Sequence, residues 1–228
     1  MIDVYYFPSP NTWKVTIMLE ECALPYRILP VNIQQREQFA PEFLKISPNN
    51  KVPAIVDHET PEGPVSIFES GAILVYLAEK TGRFLAKSGA KRARTLEWLF
   101  WQVGGLGPTA GQTHYFRRAA PEDTSAQAIE RFTNESTRLY GVINRRLEQT
   151  DYLAGDYSIA DMACWCWVWF HDMHLQDLAD FRFVARWFDA IAQRPAVLAG
   201  RRVGLDLVPE DQRPLLEGSE PHRHHGAR

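Results

Sequence analysis

One change of periodicity constrains this chain more than any other feature. Strand-like and helix-like patterns alternate over roughly the first eighty residues, and strand-like alternation then stops for the rest of the chain. Residues 2–7 alternate around Ile2, Val4 and Tyr6, which predicts a first strand. Pro8-Ser9-Pro10-Asn11 breaks it into a loop, and helical spacing from Thr12 to Leu24 predicts a helix capped by Asn11 or Thr12 and closed by Pro25. Residues 26–32 read as a second strand, irregular at Pro30. A loop containing Gln38 and a short helix over Pro41–Ile46 lead into the turn Ser47-Pro48-Asn49-Asn50-Lys51. Short strands follow at Ala54–Val56 and Val65–Phe68, then a helix at Glu69–Lys80 with Ile73, Leu74 and Leu77 on one face.

The order β-α-β-α-β-β-α is the layout of an α/β thioredoxin-like domain, a mixed sheet flanked by helices, over residues 1–82. Gly82 to Ala90 reads as a linker. Helical patterns at 91–116, 122–149, 158–171, 180–193 and 195–203 predict an all-α C-terminal domain over 91–205. Residues 206–228, rich in Pro, Glu and His, read as a mobile tail.

Charge and cysteine content narrow the function classes. A net charge of -3 gives no electrostatic reason to expect nucleic acid or an anionic membrane as partner. No apolar run approaches the roughly 18–20 residues that cross a bilayer, and MIDVYYFPSP lacks the pattern of a secretory signal. Three cysteines, Cys22, Cys164 and Cys166, are too few and too odd in number for a disulfide framework and suit a reducing cytoplasm. Cys164 and Cys166 lie two apart in a helical pattern and point to nearly opposite sides, so no metal pair is expected. His222, His224 and His225 have the composition of a metal tract but read as a solvated end.

Three local features carry chemistry. Val52-Pro53 precedes a strand, where proline opens a ladder it cannot donate to, or forms a cis bond that lets Val52 pair with an extended peptide. Glu69-Ser70 opens a helix, where free N–H groups and the helix dipole favour an anion. Ser70 adds a hydroxyl donor and Glu69 receives an ammonium, so the pair suits a free amino-acid end as well as an ordinary helix start. Ser9-Pro10-Asn11 faces any sulfur held near the first helix. Lowering a thiol pKa by two units takes about 2.7 kcal/mol. A helix dipole supplies about 0.3–1 kcal/mol and each charge-assisted hydrogen bond about 1.5–3, so Ser9 and Asn11 suffice.

The stretches YYFPSPNTWKVTIMLEE, FLKISPNNKVPAIVDH, IFESGAILVYLAEKTGRFL, LEWLFWQVGGLGP and YSIADMACW give the chain, from Met1 to about residue 200, a detailed resemblance to cytosolic glutathione transferases. It is similar in particular to the bacterial nu class and the related fungal nitrogen regulator. The resemblance implies a homodimer that binds two glutathione molecules, or oxidised glutathione, per site. It implies reduction of small disulfides, with weak transferase and peroxidase activity and no metal. On matching positions Ser9 and Asn11 face the sulfur, and Val52, beside Pro53, pairs with the cysteinyl backbone. Glu69 and Ser70 take the γ-glutamyl end. Gln38 and Lys51 lie where the glycyl carboxylate or a second tripeptide is expected, and Arg131, in AIERF, reaches an exposed carboxylate. The family usually has threonine where this chain has Ser9, which keeps the hydroxyl and frees its rotamer.

No cysteine lies in the loop before the first helix, so the reacting thiol belongs to bound glutathione. Two other readings stay open: a conventional transferase conjugating glutathione to electrophiles, and a largely non-catalytic glutathione-binding regulator. Away from this region, Gly104-Gly105-Leu106-Gly107-Pro108 predicts a kink or a close backbone approach inside a helix, beyond which His114, Tyr115 and Phe116 are candidate lining of an acceptor pocket. Ser158-Ile-Ala-Asp161 has the form of a capping box.

Overall fold

The structure is a computed structural model that describes residues 1–118 and 125–217. The described chain divides into two compact units: Met1–Leu74 together with the segment from Gln193 onward, and Val75–Ala192.

The first unit contains a four-stranded sheet in the order β2-β1-β3-β4, formed by β1 (Ile2–Tyr6), β2 (Tyr26–Pro30), β3 (Ala54–Asp57) and β4 (Val65–Phe68). β1 runs parallel to β2 and antiparallel to β3, and β3 runs antiparallel to β4. The parallel pair needs a crossover, supplied by α1 (Pro10–Cys22); the antiparallel pair needs only a hairpin. Ile2, Val4 and Tyr6 are buried, as their alternation predicts. On the other face Tyr5 packs on Phe43, its ring centroid 5.7 Å away. Val31, Phe43 and Ala54 form a small core there, with Tyr5, Ile46 and Val52 packed against it. That cluster anchors the side chain of Val52 and so fixes the strand entrance it precedes.

The first helix starts two residues earlier than the spacing predicts, and its cap is Ser9, not Asn11 or Thr12. The Ser9 hydroxyl accepts the Thr12 N–H at 3.3 Å, and the Ser9 N–H donates to Thr12 Oγ1 at 3.0 Å, a reciprocal capping box. Pro10 explains the shift: proline is well suited to the first helical position, where its missing N–H costs nothing. Every residue from Thr12 to Leu19 is buried, so α1 is not an ordinary amphipathic surface helix. A second layer covers it. α9 (Pro195–Arg202), from the far end of the sequence, packs on α1 within the same unit. Thr16 Oγ1 donates to the Gly200 carbonyl at 2.8 Å. A Cβ at Gly200 would lie 2.6 Å from the backbone nitrogen of Ile17, so only glycine permits this approach. Arg194 closes the same contact with a bidentate pair to Glu21, at 2.6 and 2.9 Å.

Beyond α9, the described part of the expected tail holds helical turns at Leu205–Leu207 and Glu210–Gln212 and a short α10 (Arg213–Glu217). The tail histidines lie outside the described residues, as does the expected start of the helix at 122. The second strand ends at Pro30, two residues short of expectation, because Asn32 already caps the 3-10 turn Ile33–Gln35, its side chain accepting the Gln34 and Gln35 N–H groups.

α3 (Ser70–Thr81) spans the division between the units. The second unit continues with α4 (Gly89–Trp101), α5 (Gly107–Arg118), α6 (Ala126–Gln149), α7 (Ile159–Val168) and α8 (Arg182–Ala192). The glycine run produces its predicted irregularity as a π-helical turn, Gln102–Leu106, joining α4 to α5. α7 ends three residues before the expected 171, and a 3-10 turn at His171–His174 follows. At the start of α7 the Asp161 carboxylate is fully buried. It accepts hydrogen bonds from the N–H groups of Leu153 (2.9 Å) and Ser158 (3.0 Å), from the Ser158 hydroxyl (3.0 Å) and from Trp187 Nε1 (3.0 Å). Burial nonetheless pushes its pKa up to about 6.

Candidate active site

A small polar cavity in the first unit is lined by Asn11, Ser47, Asn49, Lys51, Val52, Pro53, Phe68, Glu69 and Ser70. Six of these, Asn11, Lys51, Val52, Pro53, Glu69 and Ser70, are residues the sequence singles out. They converge because three structural boundaries meet at one end of the sheet: the start of α1, the turn before β3 and the junction of β4 with α3.

The turn before β3 is held by its own hydrogen bonds. The Ser47 hydroxyl, fully buried, donates to the Lys51 carbonyl at 2.9 Å, and the Asn50 N–H donates to the Ser47 carbonyl at 2.9 Å. Asn50 takes φ +47°, a left-handed conformation that asparagine tolerates better than most residues. This turn delivers Lys51 and Val52 to the cavity rim. The Val52–Pro53 peptide bond is cis.

Glu69 stands at the head of α3 with φ +70°, unusual for a residue bearing a Cβ. Its carbonyl already accepts the first helical bond, from the Ile73 N–H at 2.9 Å. Its side chain is exposed, and Oε1 accepts from Asn49 Nδ2 at 3.2 Å, which orients the carboxylate. Ser70 follows, largely buried, with its N–H among the first of the helix and therefore without a carbonyl one turn earlier. Negative and positive poles thus sit on adjacent residues: a carboxylate at Glu69 and N–H and O–H donors at Ser70.

Asn11 lies in the first turn of α1, at the same cavity. Ser9 does not line it; half-buried, it caps α1 immediately before. Gln38 lies in the 3-10 turn Glu37–Phe39, also outside the lining, and its Oε1 is buried with no hydrogen-bond partner among the described residues. Arg131 is exposed on α6 of the second unit. Four participants escape the sequence reading, the first being Ser47, which holds the turn before β3. Asn49 orients Glu69, Phe68 forms a wall, and Lys14 stands behind Ser70, its Nζ donating to Ser70 Oγ at 3.3 Å. Phe68 adjoins the candidate Glu69, and Asn49 lies two residues before the candidate Lys51. Lys14 carries no such signal.

The cavity encloses about 50 Å³. That volume is the scale of a small polar group and far below what a whole peptide ligand occupies. Cys22, the last residue of α1, is about 16 Å along the helix from Asn11, at 1.5 Å per residue. Cys164 and Cys166 are buried in α7, and none of the three cysteines forms a disulfide. Among the described residues no group of three or more His, Cys, Asp or Glu is arranged to hold a metal, and no helix is long and apolar enough to cross a membrane.

Family models match both halves of the chain: glutathione S-transferase, N-terminal domain, over residues 8–80, and glutathione S-transferase, C-terminal domain, over residues 106–195. The disulfide-bond oxidoreductase YfcG of Escherichia coli is 55% identical over 199 residues, covering 86% of this chain and 92% of that protein. Among solved structures, a glutathione transferase from Pseudomonas putida with one glutathione disulfide bound per subunit superposes with a TM-score of 0.84. It is 40% identical, covering 89% of this chain and 91% of that one. A glutathione transferase family member from Pseudomonas fluorescens with two glutathione bound gives 0.82 at 40% identity, covering 87% and 91%.

Proposed function

Since this chain belongs to the glutathione S-transferase family, we propose that it is a glutathione-dependent disulfide-bond oxidoreductase that accommodates two glutathione molecules, or one glutathione disulfide, at each site. The observation that carries this reading is the cavity itself. It joins an ammonium acceptor at Glu69, anion donors at Ser70 and the polar start of α1 at Asn11.

In this reading the γ-glutamyl end of glutathione enters the hollow, its ammonium toward Glu69 and its carboxylate toward Ser70. The cysteinyl backbone runs alongside Val52, and the sulfur comes to the start of α1. There Asn11, the Ser9 hydroxyl and the helix dipole favour the thiolate. Lys51 and Gln38 receive the glycyl carboxylate or a second tripeptide. The thiolate attacks one sulfur of a disulfide, forming a mixed disulfide and releasing the other half as a thiolate, which takes a proton. A second glutathione thiolate attacks the glutathione sulfur of the mixed disulfide and expels the remaining half. Two glutathione molecules are oxidised to one glutathione disulfide, and one disulfide is reduced to two thiols. The reading includes a homodimer working in the cytoplasm, whose reducing poise supplies glutathione.

Titration calorimetry with glutathione is expected to give two molecules per subunit, and Asn11→Ala is expected to slow reduction of a small disulfide at least tenfold with affinity within about threefold. One molecule per subunit, with electrophile conjugation and no disulfide turnover, would instead identify a conjugating transferase. Tight binding without either turnover would identify a binding protein.

A further inference from the structure

The geometry around Ser70 assigns a task to a residue that touches no ligand: we infer that Lys14 is a positioning residue that turns the Ser70 hydroxyl toward the carboxylate of a bound α-amino-acid end. This rests on the reading of the cavity as a γ-glutamyl site.

Lys14 is only 1% exposed, on a helix whose neighbouring residues are all buried. A lysine is almost never fully buried without a specific reason, because its ammonium loses its hydration. Here Nζ lies 3.3 Å from Ser70 Oγ, across the first unit from α1 to α3. An ammonium has three donors and no acceptor. Facing Lys14, the serine oxygen can therefore only accept, and its own proton must point elsewhere. Ser70 lines the cavity, and a proton turned from Lys14 is free to meet an acceptor there. The same arrangement polarises the hydroxyl, since a group that accepts from a cation donates more strongly. A positive charge is also set one hydroxyl behind the place where a carboxylate would sit.

The contrast with Glu69 is instructive. Its carboxylate is exposed and oriented by Asn49, so its partner ammonium meets it in partly aqueous surroundings. Ser70 is backed by a buried cation. The two poles of an amino-acid end are thus met by different means, a solvated counter-charge for the ammonium and a relayed one for the carboxylate. Selectivity for the carboxylate should depend on the relay.

The test compares glutathione with an analogue that lacks the α-carboxylate, γ-aminobutyryl-cysteinyl-glycine, by titration calorimetry on the intact chain. Lys14→Met is expected to weaken glutathione ten- to fiftyfold and the analogue less than threefold. With disulfide saturating, the glutathione KM should rise in step while kcat stays within about threefold. In a Ser70→Ala background the same change should weaken glutathione less than threefold, as expected of residues acting in series. Should Lys14→Met not fold, Lys14→Gln removes the charge from the same position and carries the same comparison. Equal losses for both ligands would make Lys14 merely structural and overturn the inference, as would no loss at all. Wild-type protein that binds no glutathione would overturn the underlying site assignment as well, so the two failures are distinguishable.

Discussion

Two helices of this molecule open with the same device and end in opposite situations. α1 and α7 both begin with serine as cap and a hydrogen-bonding residue three places on, Ser9 with Thr12 and Ser158 with Asp161. In α7 the loop closes on itself. Asp161 offers only acceptors, four donors fill them, and the Ser158 proton is among them. In α1 the third residue is a hydroxyl. It has two carbonyls to donate to, Phe7 at 2.8 Å and Ser9 at 3.0 Å, and it receives the Ser9 N–H. The Ser9 hydroxyl uses a lone pair for the cap, and among the described residues its proton has in reach only another hydroxyl, Thr12 Oγ1, at 3.0 Å. A thiolate is a stronger acceptor than a neutral hydroxyl, so the α1 box can release a donor to a ligand and the α7 box cannot. The same local rule gives a closed box in one unit and a box with an exchangeable donor in the other.

Breaking the sealed box should have the largest effect. Asp161→Ala leaves the N–H groups of Leu153 and Ser158 and the Trp187 Nε1 buried without an acceptor, and is expected to cost about 3–5 kcal/mol in urea unfolding. Glutathione affinity of the fraction that folds should be unchanged.

The second unit also keeps a histidine neutral. His174 is 1% exposed, and burial, helped by the neighbouring charges of His114, His171 and Arg117, lowers its pKa from 6.5 to about 3. The unfolded chain then binds the extra proton below about 6.5. The stability His174 contributes is complete above that pH and is lost as pH falls toward 3. Between pH 7 and 5 the loss is about 2 kcal/mol. Asp161, raised from 3.8 to about 6, acts in the opposite sense over the same interval. Comparing wild type with His174→Gln isolates the histidine: acidification from pH 7 to 5 should cost the wild type about 2 kcal/mol more. Equal urea midpoint shifts in the two proteins would refute this.

The smallest effect sharpens the comparison most. Ser9→Ala and Ser158→Ala each remove a cap and should each cost about 1 kcal/mol in stability. Only Ser9→Ala should also slow disulfide reduction, about tenfold. Equal slowing by both would mean that the α1 box is as closed as its counterpart.

Much of the first unit is legible in the sequence because its signals are local. Alternation marks β1, Val-Pro marks the entrance to β3, and Glu69-Ser70 marks the head of α3. The π-turn after α4 likewise follows from glycines clustered ahead of Pro108. The cap of α1 is misplaced by local reading because serine, asparagine and threonine all cap well. The deciding fact is Pro10 at the first helical position, which makes Ser9 the cap. Lys14 is invisible for a different reason. A lysine in a helix reads as solvent-facing, and only the return of α9 onto α1 reveals that this helix has no wet face. No periodicity within residues 1–82 carries information about a helix some 180 positions away.

That return, and the glycine that permits it, bears on how the molecule is made. Every residue lining the cavity falls between Asn11 and Ser70. The face of α1 around Thr16 and Ile17 nevertheless waits for Gly200, which is synthesised more than 180 residues later. The unit that begins first is therefore completed after the other, and a nascent chain stopped at Ala192 has the cavity-lining residues but not the segment that packs on α1.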